Sequence, residues 1–71
     1  MPDSVYKVIE LVGTSKESWE KAAASAVAVA ARSLRDLRIA EVVQLDMQVE
    51  GGKVKAYRAK VKVSFKYVLG K

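Results

Sequence analysis

Between Val5 and Val12 the chain reads Val-Tyr-Lys-Val-Ile-Glu-Leu-Val, a β-branched run that predicts a strand. Alternation places Val5, Ile9 and Leu11 on one face and Tyr6, Val8 and Val12 on the other. Both faces are apolar, so both need cover. One helix covers one face; the second is expected to meet another subunit. Gly13-Thr14-Ser15 is expected to end the strand. Thr14 and Glu17 stand at capping-box spacing, with Ser15 as the alternative N-cap. From Lys16 to about Asp36 the period becomes helical. Trp19, Ala22, Ala23, Ala26, Ala30 and Leu34 recur at three- and four-residue steps, flanked by Val27 and Ala31. Alanine favours the helix and lets its axis approach a sheet closely. Glu17 and Lys21 form a favourable i,i+4 pair, and Arg32, Arg35 and Arg38 suit the C-terminal end of the helix dipole.

Period two returns from Ile39 to Glu50. Ile39, Val43, Leu45, Met47 and Val49 hold the odd, apolar positions; Gln44, Asp46, Gln48 and Glu50 hold the even, polar ones. Glu41 is the exception, a carboxylate on the apolar register. Glu50-Gly51-Gly52-Lys53 predicts a hairpin, because paired glycines supply the positive φ of primed turns. Val54 to Tyr67 is the third strand. Tyr57, Ala59, Val61, Val63, Phe65 and Tyr67 share one face; Arg58, Lys60, Lys62, Ser64 and Lys66 share the other. The order β-α-β-β makes one α+β domain over residues 1–71, a three-stranded antiparallel sheet curled around one helix. Its last two strands exceed the usual length of about 5–6 residues, and their ends are expected to be covered by neighbouring subunits.

Composition narrows the chemistry. A 71-residue chain buries only about 60% of the surface its unfolded form exposes, and small domains need a staple. There is no Cys and no His. That excludes disulfides, thiolate or imidazole metal sites and His-based catalysis. With no nucleophile–base pair in view, no enzyme activity is expected, and oligomerisation remains as the staple. The net charge is +5 and unevenly placed. Residues 53–71 hold seven cations and no acid, whereas residues 1–52 hold six cations against eight acids. Such a stripe attracts anions or nucleic acid. Its ordinary reading is a solvated strand face whose lysines block edge pairing. The strand's aromatics lie opposite its cations, without the interleaved stacking platform of single-strand binders, so specific nucleic-acid binding is not expected. No apolar run approaches the ~20 residues that span a membrane. Met-Pro-Asp-Ser at the N-terminus shows no signal-peptide pattern, and a cytoplasmic location is expected.

The chain resembles the dodecin family over nearly its whole length. The resemblance rests on Val5-Tyr6-Lys7-Val8-Ile9-Glu10-Leu11-Val12-Gly13-Thr14-Ser15, the Ala-rich helix to Leu37, Glu41-Val42, the Gly52 hairpin and Lys62-Val63-Ser64-Phe65. It implies a hollow sphere of twelve identical β-α-β-β subunits. Many dodecins bind flavins in stacked pairs near a subunit-interface axis, as stores or scavengers rather than catalysts.

The departures concern that site. Where flavin-binding dodecins have Trp-Phe before the Glu-Val of the second strand, this chain has Ile39-Ala40. Where they have a Gln after an aromatic residue in the third strand, Tyr57 is followed by Arg58. The family's Arg-Gly in the second strand is Asp46-Met47 here. An aromatic pair contributes about 0.5–1.5 kcal/mol beyond its area burial, and Ile39 offers no such face. The usual flavin site is therefore expected to be degraded, with Ile39→Trp and Arg58→Gln together expected to restore it. The pattern is similar to a branch of the family that lacks the flavin Trp and includes calcium-binding members.

Calcium takes six to eight oxygens, more than one chain supplies at loop spacing. Asp46 and Glu50 are the candidate ligands where copies converge on an axis; otherwise they are solvated acids paired with third-strand cations. Glu41 is expected to make a structural salt bridge across an interface. Trp19 and Tyr57, on apolar stripes, are assigned to the core. The function expected is oligomeric storage or sequestration of a small molecule or ion. The alternatives are flavin binding at a non-standard site, or non-specific binding of anions or nucleic acid along the basic strand.

Overall fold

The computed structural model describes residues 5–66. Strand β1 (Tyr6–Ser15) is followed by helix α1 (Trp19–Ser33) and by two 14-residue strands, β2 (Leu37–Glu50) and β3 (Lys53–Lys66). The sheet is antiparallel throughout, in the order β1-β3-β2. β3 is central because it is bonded on both sides, and α1 lies across one face. Gly51 and Gly52 take φ of 59° and 75°, as the expected hairpin requires. The predicted Tyr67 end of the third strand lies outside the described residues.

Several boundaries differ from expectation, each for a physical reason. β1 does not stop at Val12. Gly13, Thr14 and Ser15 stay in the ladder opposite Ala59, Arg58 and Tyr57. Gly13 is there because the helix passes directly over it. The helix opens three residues later than expected, at Trp19. Its N-cap is Ser18, whose hydroxyl accepts the Lys21 N–H at 3.1 Å. Ser15 serves the turn before it, its Oγ accepting from the amides of Glu17 and Ser18. α1 ends at Ser33 rather than near Asp36. Leu34 turns extended while its N–H still reaches the Ala30 carbonyl at 2.9 Å, and Asp36 then reverses the chain at φ 56°. Arg32 is in the last helical turn, whereas Arg35 and Arg38 lie beyond it.

The strict alternation expected for β2 is broken by bulges. Register shifts fall between Leu37 and Ile39, Val42 and Gln44, and Gln48 and Val49. Leu37, Ala40, Val42, Leu45 and Met47 therefore face the helix side, opposite Phe65, Val63, Val61, Ala59 and Tyr57. Ile39 and Glu41 pair with Ser64 and Lys62 on the other face. Glu41 is thus not a carboxylate on the apolar register: the bulge at Val43 moves it into the polar row.

The core is small. Ala22, Ala26 and Ala30 of α1 meet Ala59, Val61 and Val63 of β3, with Ile9, Leu11, Val27 and Leu34 packed around them. Among the described residues nothing larger than valine is fully buried. A 15-residue helix spans about 22 Å, whereas a 14-residue strand spans about 46 Å. The described chain is 55 × 20 × 15 Å, so the hairpin runs well past the helix.

Candidate functional site

The candidate residues are carried by the sheet face that α1 leaves open. Side chains directly opposite one another in an antiparallel ladder share a face, so the register fixes which residues form each cross-strand row. Thr14, Arg58 and Asp46 make the first row. Val12, Lys60 and Gln44 make the second, Glu10, Lys62 and Glu41 the third, and Val8, Ser64 and Ile39 the fourth. The first three rows hold three cations and three carboxylates. The basic strand read from sequence is therefore offset by acids on both flanking strands, and Lys62 in particular stands between Glu10 and Glu41. The fourth row is apolar at both ends; Val8 is 54% exposed and Ile39 60%.

The first row is the most constrained. The Arg58 guanidinium donates from Nε to Asp46 Oδ1 and from Nη2 to Asp46 Oδ2, both at 2.8 Å. This two-point geometry is the strong form of a guanidinium–carboxylate contact. The bond from Arg58 holds the Asp46 carboxyl below the ordinary carboxylate range, with Lys60 assisting and partial desolvation opposing. Arg58 is raised by the same bond. On the helix side, the Trp19 indole Nε1–H donates to the Asp46 carbonyl at 3.0 Å. Trp19 also meets Tyr57 edge-to-face, with centroids 5.1 Å apart and planes at 70°. Asp46 is thus held twice, its backbone by the first turn of the helix and its side chain by the central strand. Trp19 and Tyr57, assigned to the core from sequence, are half-buried and form this clamp. The Trp19–Asp46 bond joins residues 27 apart in sequence, and no local pattern announces it.

The other candidates lie apart. Ile39 and Arg58 are three rows apart, about 20 Å along the strand, so one chain does not bring them together. Glu50 stands exposed at the hairpin opposite Lys53. It is four residues from Asp46 along the same strand, about 13 Å. Glu41 faces Lys62 across the ladder. Among the described residues no three Asp, Glu, His or Cys side chains are grouped to hold a metal ion, and no helix is long and apolar enough to cross a membrane.

Ile39 is exposed, and the Arg58 guanidinium directs two of its five N–H donors to Asp46. Asp46 and Glu50, about 13 Å apart along the strand, do not converge within one chain, and each Asp46 oxygen accepts from Arg58.

Comparison with known proteins places the chain. The family Dodecin matches residues 5–68. Calcium dodecin of Mycobacterium tuberculosis is 52% identical over 63 residues, 89% of each chain. Its crystal structure, described as a calcium-chelating antigen with a novel calcium-binding site, superposes with a TM-score of 0.82, covering 96% of this chain and 97% of that one. Dodecin of Thermus thermophilus is 40% identical over 62 residues, 87% of this chain and 90% of that one. The structure of dodecin from Streptomyces coelicolor is 34% identical and superposes with a TM-score of 0.90 over 99% of this chain and all of that one. Sequence, topology and three-dimensional shape agree, and the chain belongs to the dodecin family.

Proposed function

We propose that this protein assembles into a hollow homododecamer that binds and sequesters a small molecule or ion, and that it has lost the usual flavin site of its family. The observation that carries the assembly is the core. Tyr6, Val8 and Val12 on the open face of β1 and Leu45 and Met47 of β2 stay 45–54% exposed, while complete burial stops at valine. At about 25 cal/mol per Å² of apolar surface removed from water, covering these side chains is a large gain that one chain forgoes. Loss of the flavin site is supported by exposed Ile39 and by the engagement of Arg58 with Asp46. No group in this reading is a catalyst; the residues bind and pack.

Within such a shell Ile39 and Arg58 come from different copies, and Glu41 reaches a cation across an interface as well as Lys62 in its own ladder. Light scattering is expected to give about 94 kDa, twelve times the 7.8 kDa chain, and riboflavin titration little or no fluorescence quenching. A monodisperse monomer or dimer at micromolar concentration overturns the assembly; submicromolar flavin binding overturns the lost site.

Likeness to calcium dodecin favours a divalent cation as the second reading of the ligand. Glu50 is then the freer ligand, converging with its copies at an axis, and Asp46 joins only when Arg58 releases it. Calorimetric titration with calcium chloride, compared between the natural protein and Glu50→Gln, tests this. Equal affinities remove Glu50 from the site.

A further inference from the structure

The Asp46–Arg58 pair has a consequence for ligand selection that neither residue has alone. We infer that Asp46 is a specificity-determining residue of the open face: its carboxylate, paired at two points with Arg58, excludes a neutral planar ring from this row. The inference rests on the reading that the flavin site is lost, and it names the residue that keeps it lost.

Arg58 cannot be considered without its partner. Both carboxylate oxygens of Asp46 accept from it at 2.8 Å, so the row presents an ion pair rather than a lone guanidinium. Replacing Arg58 by Gln supplies a side chain that both donates and accepts, but it also leaves a carboxylate without its counter-charge. The strand that carries it is held in place, because the Asp46 backbone carbonyl accepts from the Trp19 indole at 3.0 Å. An uncompensated carboxylate beside a ring that has shed its water is costly. Opening the row to a neutral ring therefore requires a change at Asp46 as well as at Ile39 and Arg58.

The test is riboflavin titration, followed by fluorescence quenching, of three proteins confirmed as assembled by light scattering: the natural chain, Ile39→Trp with Arg58→Gln, and the same pair with Asp46→Asn. The triple variant is expected to bind more tightly than the double by about tenfold or more, the scale of one uncompensated buried polar group. Equal affinity of double and triple variants overturns the role of Asp46. Submicromolar binding by the natural chain overturns instead the reading on which it rests, so the two failures are distinct. If the Asn variant does not assemble, Asp46→Ser is read in its place. Failure of both to assemble makes Asp46 an assembly residue and also overturns the inference.

Discussion

A Cβ built on Gly13 falls 2.0 Å from the carbonyl oxygen of Ala22 and 3.1 Å from the Ala26 Cβ. The contact is with helix backbone, which has no rotamer to yield. Strand β1 and helix α1 therefore approach as closely as they do because position 13 has no side chain. Gly13→Ala is expected to force the two elements apart. The cost is expected to be at the upper end of the ~1–3 kcal/mol typical of overpacking, read as a lowered denaturation midpoint with the far-ultraviolet spectrum kept. An unchanged midpoint would mean the helix floats freely over the strand.

Helix initiation separates two serines and a threonine that look equivalent in sequence. Ser18→Ala removes the hydroxyl that accepts the Lys21 amide and is expected to cost about 1 kcal/mol. Thr14→Ala, within the ladder opposite Arg58, is expected to cost less. Thermal unfolding of both variants decides the order.

The Asp46–Arg58 bond makes part of the stability depend on pH. The folded-state carboxyl of Asp46 titrates lower than an unfolded one, because Arg58 holds it. Its stabilisation is therefore fully present above the ordinary carboxylate range near pH ~4 and lost as pH falls through the depressed folded value. Urea denaturation of the natural protein and Asp46→Asn should show a gap at neutral pH that closes below that range. A gap that widens on acidification would reverse the sign and discard the bond as its source.

On the open face, three cations face three carboxylates across the first three rows. Twelve chains of +5 still sum to roughly +60, enough to hold polyanions loosely. Binding of a mixed-sequence DNA duplex at low salt is expected to vanish by physiological salt without sequence preference, since only phosphate neutralisation is available. Submicromolar, sequence-dependent binding at physiological salt would contradict the offset charges.

The element order, the Gly51-Gly52 turn and the Ala22-Ala26-Ala30 stripe were legible in the sequence, because each rests on local propensity or a single period. The sidedness of Ile39 and Glu41 was not. A bulge changes the phase of a strand without changing its composition, and the residue inserted at Val43 looks like any other valine. The candidate site was half legible. Ile39, Arg58 and Asp46 stood out as departures from the dodecin pattern, but their partnership did not. Asp46 meets Arg58 because the register set at the turn is shifted between Gln48 and Val49, and Trp19 meets Asp46 because the helix is capped at Ser18 rather than at Thr14. Both depend on where an element starts or slips, which composition and period do not record.

The shift between Val42 and Gln44 leaves Val43 as a surplus residue: its neighbours already pair with Val61 and Lys60, adjacent positions of β3. Shortening the chain by that one residue would preserve every cross-strand partnership on either side. What it would remove is the bend, because a bulge adds curvature and right-handed twist. In this hairpin, pairing and shape are therefore encoded separately. Chain length at position 43 governs how the strand arcs, while side-chain identity governs what each row presents.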